Sequence, residues 1–526
     1  MEKIIVVGSG PSGVSAAFAL VNKGYDVTML DAGITLEDKN KKLVEKIRNA
    51  KNWSEKLLEP IKKPMHEKGK DAPLKYVYGS DYSYKDVNKH TPIELDNLAC
   101  STSLGLGGLS SVWGAALMPH LDEDISDWPI KIKDLKMHYE KVLGFMGMAA
   151  NKGDDLEKIF PFYTDKAQPF KLSSQAKMFL QTLNNYKSKL NNDGIFFGSP
   201  RLAVRFESTK TSKGCVYCGL CFYGCPYNLI YNSEFTVQQL KKHKNFHYIN
   251  NFVVNKIKEL NDKVMLSVKN IKTRKESTFK CDRVFLACGV LPTARIMLNS
   301  MNEYNHELLI KDSQHFMLPC LRYEGAEDVT KEKLFTLSQL YIEIFDKKLD
   351  KNSIHMQVYT YNDLYDVEME KKFGFLFRAF KAPFKAIMGR TIVIQGYVHS
   401  NSSPQMAAKL DKNSNALIVK KIEKKSVEIL IKKITKNILK NKKYFRMIPL
   451  IPMLEISKTG GGNHYGATFP MRKNPKKFES DLLGRPFGYK RTHIVDASVL
   501  PSIPTQTITL TTMANAHKIA TEFDEK

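Results

Sequence analysis

The chain opens on the segment that most limits what it can become. Ile4-Ile5-Val6-Val7 is followed by Gly8-Ser9-Gly10-Pro11-Ser12-Gly13 and then by Val14-Ser15-Ala16-Ala17-Phe18-Ala19-Leu20. A second apolar run after Gly24 ends at Asp31. The order is strand, glycine turn, helix, strand, acid. Gly8 permits the tight turn, Gly10 lets a diphosphate approach the backbone, and Gly13 lets helix and strand pack closely. The helix opens at Pro11 and Ser12, and its positive end is where a diphosphate sits. Asp31 closes the second strand, where a carboxylate accepts hydrogen bonds from ribose hydroxyls. Dinucleotide binding follows, but the motif alone does not separate FAD from a nicotinamide cofactor.

A chain of 526 residues is long enough for two or more domains, or for two interleaved ones. It contains no run of 18 apolar residues, so no membrane-spanning helix is expected. The first strand begins at the N-terminus itself, which leaves no room for a secretory signal. Four of the eight cysteines fall within Cys215–Cys225, unlike a disulfide framework, and a reducing cytoplasmic location is the expectation. The net charge is +25. Nucleic acid, an anionic membrane surface or substrate, and dispersed surface charge would each account for it. Lysines are scattered from Lys3 to Lys526 and no nucleic-acid fold motif is present, so nucleic acid is not expected as a partner.

Beyond a polar, charged excursion at 37–89, a second glycine-rich stretch reads Leu104-Gly105-Leu106-Gly107-Gly108-Leu109-Ser110-Ser111-Val112-Trp113-Gly114. Such a loop presses backbone against a flat or anionic ligand, or is merely a loop. Asp127-Trp128-Pro129-Ile130 precedes a helical stretch at 133–142. Cys215, Cys218, Cys221 and Cys225-Pro226 then follow the C-x2-C-x2-C-x3-C-P spacing of bacterial ferredoxins. A [4Fe-4S] cluster, a zinc ion and metal-free thiols are the readings open at this point. In a cluster, either Cys225 folds back or a remote cysteine such as Cys100 completes the set. Val284–Arg295 reads as apolar strand, glycine turn and helix start, with Cys288 as a core residue.

Strand-like runs occur at 337–344, 353–361 and 391–399. Between the last two, Phe373–Met388 is basic, aromatic and free of acids, as a segment in peripheral membrane contact would be, or a buried helix or active-site flap. The stretch 420–443 reads as an amphipathic helix. Near the C-terminus come Gly460-Gly461-Gly462-Asn463-His464-Tyr465-Gly466-Ala467-Thr468, then Thr492–Pro501 with Asp496, then Pro504-Thr505-Gln506-Thr507.

The opening βαβ unit, the Gly-rich loop, the Trp-Pro-Ile segment and this C-terminal pattern together resemble the GMC (glucose–methanol–choline) flavoprotein oxidoreductases. The resemblance implies FAD as cofactor, lying along Gly107, Gly108, Ser110, Ser111 and Trp113. No histidine lies between Leu104 and Leu117, so the FAD is expected to be non-covalent. Asp496 matches the acid on the ribityl side. His464, in an H-x-x-x-T context, matches the histidine that takes the alcohol proton while hydride leaves for the flavin. The second His or Asn of the family is absent: counting back from Met513 gives Thr507, beside Gln506. These two are then the candidates for positioning the substrate.

The expected fold is α/β (α+β overall), a Rossmann-like FAD-binding domain plus a substrate domain with an antiparallel sheet. The FAD domain is assembled from 1–36, 95–125, 205–300 and 456–526, and the substrate domain from 37–94, 126–204 and 301–455. The expected reaction is oxidation of an alcohol, a sugar or glycolipid hydroxyl, phosphorylated or lipid-linked, to a carbonyl. Electrons would leave through the cluster to a partner protein or a quinone, from the cytoplasm or the inner membrane surface. Two rivals stand beside it: a redox-neutral sugar isomerase or epimerase, and an electron-transfer flavoprotein without its own substrate.

Overall fold

A computed structural model of the protein describes residues 2–67, 75–210, 212–379 and 381–524. The first strand, Lys3–Val7, pairs in parallel with Asp26–Leu30 through the helix Pro11–Asn22. Phe246–Ile249 extends this parallel sheet on one side, and Arg283–Leu286 and then Thr492–Ile494 on the other. Strands far apart in sequence therefore meet in one sheet. The last helix, Thr509–Glu522, packs against the first, where Ser15 Oγ donates to the Met513 carbonyl at 2.7 Å. An antiparallel ribbon of Phe252–Glu259, Val264–Asn270 and Glu276–Cys281 lies between the parallel strands in sequence.

The larger antiparallel sheet runs in the order Met447–Pro449, His315–Arg322, Thr391–Tyr397, Ile354–Tyr359, Leu340–Ile344, Ile195–Gly198. Because side chains alternate along a strand, its two faces differ in kind. Phe316, Leu318, Ile394, Met356, Ile342 and Phe197 point to one face. They share a core with the helices Ser174–Asn185 and Ser426–Lys440. The register sets His315, Tyr397, His355 and Glu343 side by side on the other face. A third sheet links Tyr465–Gly466, Leu308–Asp312, Gln405–Leu410, Leu417–Ile422 and Ile93–Asp96. The architecture is the mixed α/β fold expected from the sequence.

The stretch 420–443 departs from that expectation. Its first residues belong to the strand Leu417–Ile422, whose β-branched side chains pair with Gln405–Leu410, and the helix begins only at Ser426. The basic aromatic segment forms part of three helices, Asp363–Phe373, Phe375–Ala379 and Lys381–Arg390, with Phe380 outside the described residues. Phe373, Phe375, Leu376 and Ile387 are exposed there, Phe375 at 77%, so the segment is not the buried helix that was one reading of it. Among the described residues no helix is long and apolar enough to cross a membrane.

The tightest backbone approach lies at the opening turn. Gly8 has φ +100°, and a Cβ there would lie 2.5 Å from the Ala287 carbonyl oxygen. A Cβ on Gly13 would lie 1.9 Å from the Gly8 carbonyl oxygen. Gly13→Ala must therefore push helix and strand apart. It is expected to cost about 1–3 kcal/mol, as overpacking does, and to lower the thermal midpoint of unfolding.

Candidate active site

A large cavity opens at the carboxyl ends of the parallel strands, where ligands of open α/β sheets bind. Gly8, Gly10, Pro11, Ser12, Asp31 and Gly108 line it, and Asp496 stands among the residues that complete it. Asp31 is buried and accepts from Ser9 Oγ at 2.5 Å and Tyr248 OH at 2.9 Å. Burial raises its carboxyl above the ordinary range. Asp496 accepts from Thr293 Oγ1 at 2.6 Å, from the Gly289 amide at 3.0 Å and from the Ser498 amide at 2.9 Å, and burial raises it too. Both acids are thus fixed in place by their neighbours. Asp31 has a tyrosine partner, Tyr248, that the sequence motif does not announce.

The glycine-rich loop reaches this cavity through Gly105, Gly108 and Leu109. Gly108 approaches Gly10 so closely that a Cβ on it would lie 3.1 Å from the Gly10 Cα. Gly107, Ser110, Ser111 and Trp113 stand off the cavity wall and build the loop instead. Ser110 Oγ donates to the Gly107 carbonyl at 2.6 Å, Ser111 Oγ to the Gly108 carbonyl at 2.8 Å, and Trp113 Nε1 to the Tyr231 carbonyl at 2.8 Å. Gly13 likewise packs beneath the turn rather than lining the cavity. Cys288 does line it and is half-buried, not the core residue read from the sequence. It follows directly after the strand Arg283–Leu286, at the carboxyl end that faces the ligand.

His464 lies between Asn463 and Tyr465, both cavity-lining. The three glycines before it let the loop wrap around Asp312 and His315. The Gly460 amide donates to Asp312 Oδ2 at 3.0 Å, and a Cβ on Gly462 would lie 3.1 Å from His315 Nδ1. The His464 carbonyl accepts from the Ser313 amide at 2.9 Å, and its ring stacks on Tyr397 with centroids 4.9 Å apart. Part of the residue is accessible, yet the ring lies deep enough that burial, with His315 and His355 nearby, lowers its pKa to about 3. Its Nδ1 has no hydrogen-bond partner among the described residues. The site therefore holds a neutral imidazole with proton-accepting capacity to spare.

Gln506 and Thr507 are buried on the loop before the last helix. Gln506 Nε2 donates to Ser353 Oγ at 2.8 Å, and Ser353 Oγ donates to Asp124 Oδ2 at 2.9 Å. Gln506 Oε1 and Thr507 Oγ1 lack partners among the described residues. The Asp-Trp-Pro-Ile segment braces the same loop. Trp128 Nε1 donates to Ser502 Oγ at 2.9 Å, and Ser502 Oγ donates to Asp127 Oδ1 at 2.6 Å. Tyr397, His355, Glu343, His120 and Asp124 escape a motif-based reading. The signal available for some of them was alternation: His355, Gln357 and Tyr359 interleave with Ile354, Met356 and Val358.

The four cysteines of the ferredoxin-like run line one small, nearly closed cavity with Phe206, Phe335 and Leu337. Backbone amides of Tyr217, Thr336 and Leu229 point at Cys215, Cys221 and Cys225 Sγ, at 3.4, 3.4 and 3.5 Å. Burial pushes the Cys215 thiol up to about 12 and raises Cys218 and Cys225 as well. Among the described residues no three His, Cys, Asp or Glu side chains are arranged to hold a metal ion. Cys100 is elsewhere, with its Sγ near Gly460 and Met406, so it does not complete the set.

Comparison with known proteins shows what the chain is similar to. Residues 6–36 match the model of the NAD(P)-binding Rossmann-like domain, and the whole chain adopts a dinucleotide-binding α/β fold. Residues 77–309 match the GMC oxidoreductase family model. The solved structure of pyridoxine 4-oxidase from Mesorbium loti superposes with a TM-score of 0.61 at 14% identity, covering 100% of both chains. Formate oxidase superposes with a TM-score of 0.63 at 14% identity, covering 99% of this chain and 98% of that one. At such identity the likeness is one of fold. No curated protein matches the chain by sequence. The family match is confined to residues 77–309, and the fold is shared with these two oxidase structures.

The buried histidines carry a consequence for acid stability. Burial lowers His120 to about 3, and His315, His399, His493 and His517 to about 4. Each stays neutral in the fold and, in the unfolded chain, takes up a proton as pH falls through the ordinary value of 6.5. Stability is therefore lost as pH falls below 6.5. Buried Asp124 and Asp312, raised to about 6 and about 7, act in the opposite sense, so a single-site comparison isolates the effect. A His120→Asn variant should gain on the wild type by up to about 1.4 kcal/mol per pH unit between pH 6.5 and 4, measured by denaturant unfolding.

Proposed function

We propose that the protein is an FAD-dependent oxidoreductase that takes hydride from the carbon of a CH–OH group, with His464 as the base for the hydroxyl proton. The observation that carries this reading is a neutral, partly unpartnered imidazole set beside a dinucleotide cavity whose two acids are already anchored. The glycine turn and Asp31 would hold the adenosine diphosphate end, and Asp496 the ribityl side. Bound FAD supplies a flavin ring that accepts hydride. Proton removal by His464 raises the alcohol's hydride-donating power; burial keeps its imidazole unprotonated at neutral pH, at a cost in basicity. Tyr397 holds the imidazole plane by stacking. Gln506 and Thr507, on the loop before the last helix, would position the substrate rather than act as bases.

The matched family model, the full-length fold and the proton-accepting site support this reading over an electron carrier without a substrate. Anaerobic mixing of the FAD-loaded protein with a panel of alcohols tests it. At least one alcohol should bleach the oxidised flavin, and His464→Ala should slow that step by about 100-fold or more at unchanged flavin content. Equal rates in the variant would remove His464 from the reaction. Turnover with no added acceptor would favour the isomerase or epimerase.

A second reading concerns the electrons. Four cysteines gather around one small cavity and three of them are met by backbone amides, although among the described residues no three side chains are arranged to hold a metal ion. A [4Fe-4S] cluster would use Cys215, Cys218, Cys221 and Cys225, and hydrogen bonds to its sulfurs tune the potential. Protein purified without oxygen should then carry about four irons and as many sulfides per chain. Flavin without iron would leave a loop of free thiols and point to an oxidase.

A further inference from the structure

The adjacent antiparallel strands Ile354–Tyr359 and Thr391–Tyr397 are joined by the whole segment 360–390. A hairpin loop of about 2–5 residues would suffice for such a pair. The connection instead carries the helices Asp363–Phe373, Phe375–Ala379 and Lys381–Arg390. One buried side chain fixes both of its ends. Gln175 Nε2 donates to the carbonyls of Met388, Gly389 and Thr391 at 2.9, 3.1 and 3.0 Å, and Gln175 Oε1 accepts from the Tyr361 amide at 2.8 Å. Asp363 holds the first helix from another side, accepting from Lys62 Nζ at 2.5 Å and from Tyr223 OH at 2.8 Å.

The base of this insertion is therefore anchored, but its outer part is left open. The helix Asp363–Phe373 has no buried residue. Phe377 and Met388 turn inwards, Met388 against Val329 and Tyr361. Phe373, Phe375, Leu376 and Ile387 stay exposed. Exposed apolar residues are ordinarily scattered singly, and several on one insertion mark an interaction surface.

A second apolar group lies at the same end of the sheet. Ile448 pairs with Leu321, and Leu321 pairs with Thr391, which follows directly on the last helix of the insertion. At about 4.8 Å between neighbouring strands, Ile448 and Thr391 are roughly 10 Å apart. Ile448, Ile451 and Met453 are exposed, as is Tyr323 with the Arg446 guanidinium over its ring. A Cβ on Gly325 would lie 2.8 Å from Arg390 Cγ, so the chain after Arg322 packs against the insertion. Tyr397, which stacks on His464, stands at the other end of its strand. At about 3.3 Å per residue that end is roughly 20 Å from Thr391. None of these exposed apolar residues lines the dinucleotide cavity.

Charge indicates what covers the patch. From 371 to 390 the sequence holds basic residues and no acid, and Lys371, Lys372, Lys385 and Arg390 are exposed. The acids of the insertion come earlier and are engaged. Asp363 is held as above, Asp366 accepts from Tyr361 OH at 2.8 Å, and Glu368 pairs with Lys371 at 3.4 Å. Glu370 is not free either. The loop that packs on Met388 carries Glu327 and Asp328 against Lys331 and Lys333, with Asp328 paired to Lys331 at 2.9 Å. A bilayer surface takes this combination: aromatic and leucine side chains enter the acyl boundary while lysines reach anionic headgroups. None of the helices is long and apolar enough to cross, so the contact is peripheral.

We propose that the exposed side of this insertion, with the neighbouring edge at 448–453, is a docking surface for an anionic lipid bilayer. Phe375 and Leu376 enter the interface, and Lys372, Lys385 and Arg390 hold the headgroups. The surface is independent of the flavin and His464 reading, because it lies away from the cavity.

The experiment sediments the FAD-loaded full chain with vesicles of phosphatidylcholine alone, and with vesicles containing about equal parts of phosphatidylcholine and phosphatidylglycerol. Binding is expected to the mixed vesicles and not to the neutral ones. Phe375→Ser with Leu376→Ser should weaken it about tenfold or more. Lys372→Gln with Lys385→Gln should weaken it about fivefold for each lysine. Lys432→Gln with Lys433→Gln removes the same charge from the helix Ser426–Lys440 and should leave binding unchanged. In Phe375→Trp, the emission gained over the wild type should shift to the blue on mixed vesicles and be quenched by brominated lipid. All of these side chains are exposed, so flavin content and the thermal midpoint of unfolding should not change.

No binding to either vesicle would overturn the proposal. Equal losses from the Lys432 and Lys433 pair would reduce the binding to dispersed surface charge. Undiminished binding of the Phe375→Ser, Leu376→Ser variant, or an unquenched tryptophan, would remove the insertion from the interface. A wild type that ignores vesicles but loses oligomeric mass in that same variant would give the face to a second copy of the chain instead.

Discussion

The whole site depends on one close backbone approach. Gly8, Gly13 and Ala287 come together so tightly that no side chain larger than hydrogen fits on either glycine. This contact locks the first strand, the first helix and the returning strand Arg283–Leu286 at their ligand-facing ends. Cys288, Gly289 and Asp496 are placed by the same contact, because each follows directly on a strand of that sheet or on its edge. The final helix then covers the first, which ties residue 15 to residue 513, and the loop before it holds the buried Gln506 and Thr507. A cofactor site built from segments hundreds of residues apart thus needs only one local steric constraint to bring them into register.

That constraint is also why the fold was so legible. A glycine pattern states a requirement on backbone geometry, and backbone geometry is local, so Gly8-Ser9-Gly10-Pro11-Ser12-Gly13 could be read without knowing anything beyond Asp31. The His464 loop was legible only through its resemblance to a known family pattern; the structure adds that the three glycines before it wrap closely around Asp312 and His315. Other assignments failed where the pattern alone could not say which way a residue turned. Ser110 and Ser111 sit in the glycine-rich loop and bond its own carbonyls, and Trp113 ties it to the Tyr231 carbonyl. The strand Leu417–Ile422 was absorbed into the helix that follows it because lysine spacing fits both periods and only the pairing partner decides.

The polar face of the large antiparallel sheet was invisible for a deeper reason. Glu343 and His355 are neighbours across two strands, and no window on the sequence brings them together. What the sequence does show is a strand with polar residues at alternate positions, which in isolation reads as a surface strand with one wet face. In the structure both faces are buried, one against helices and one over the site. A buried polar face is expensive, and its hydrogen bonds are accordingly nearly complete. The exceptions among the described residues, His315 Nδ1 and Glu343 Oε2 included, are therefore informative.

Net charge says little about the interior. An excess of 25 positive charges invites an anionic substrate, but a total charge says nothing about where the charges lie. Lysine ammonium groups stay in water because burying them costs far more than burying a hydroxyl or an amide. The interior around His464 is instead set by carboxylates, amide oxygens and imidazoles that burial holds neutral. Coulomb interactions are strong in that interior and weak across the solvated surface, so many exposed cations count for little beside His464. Surface charge governs how the molecule meets its surroundings, whereas the groups buried around His464 set the polarity at that site.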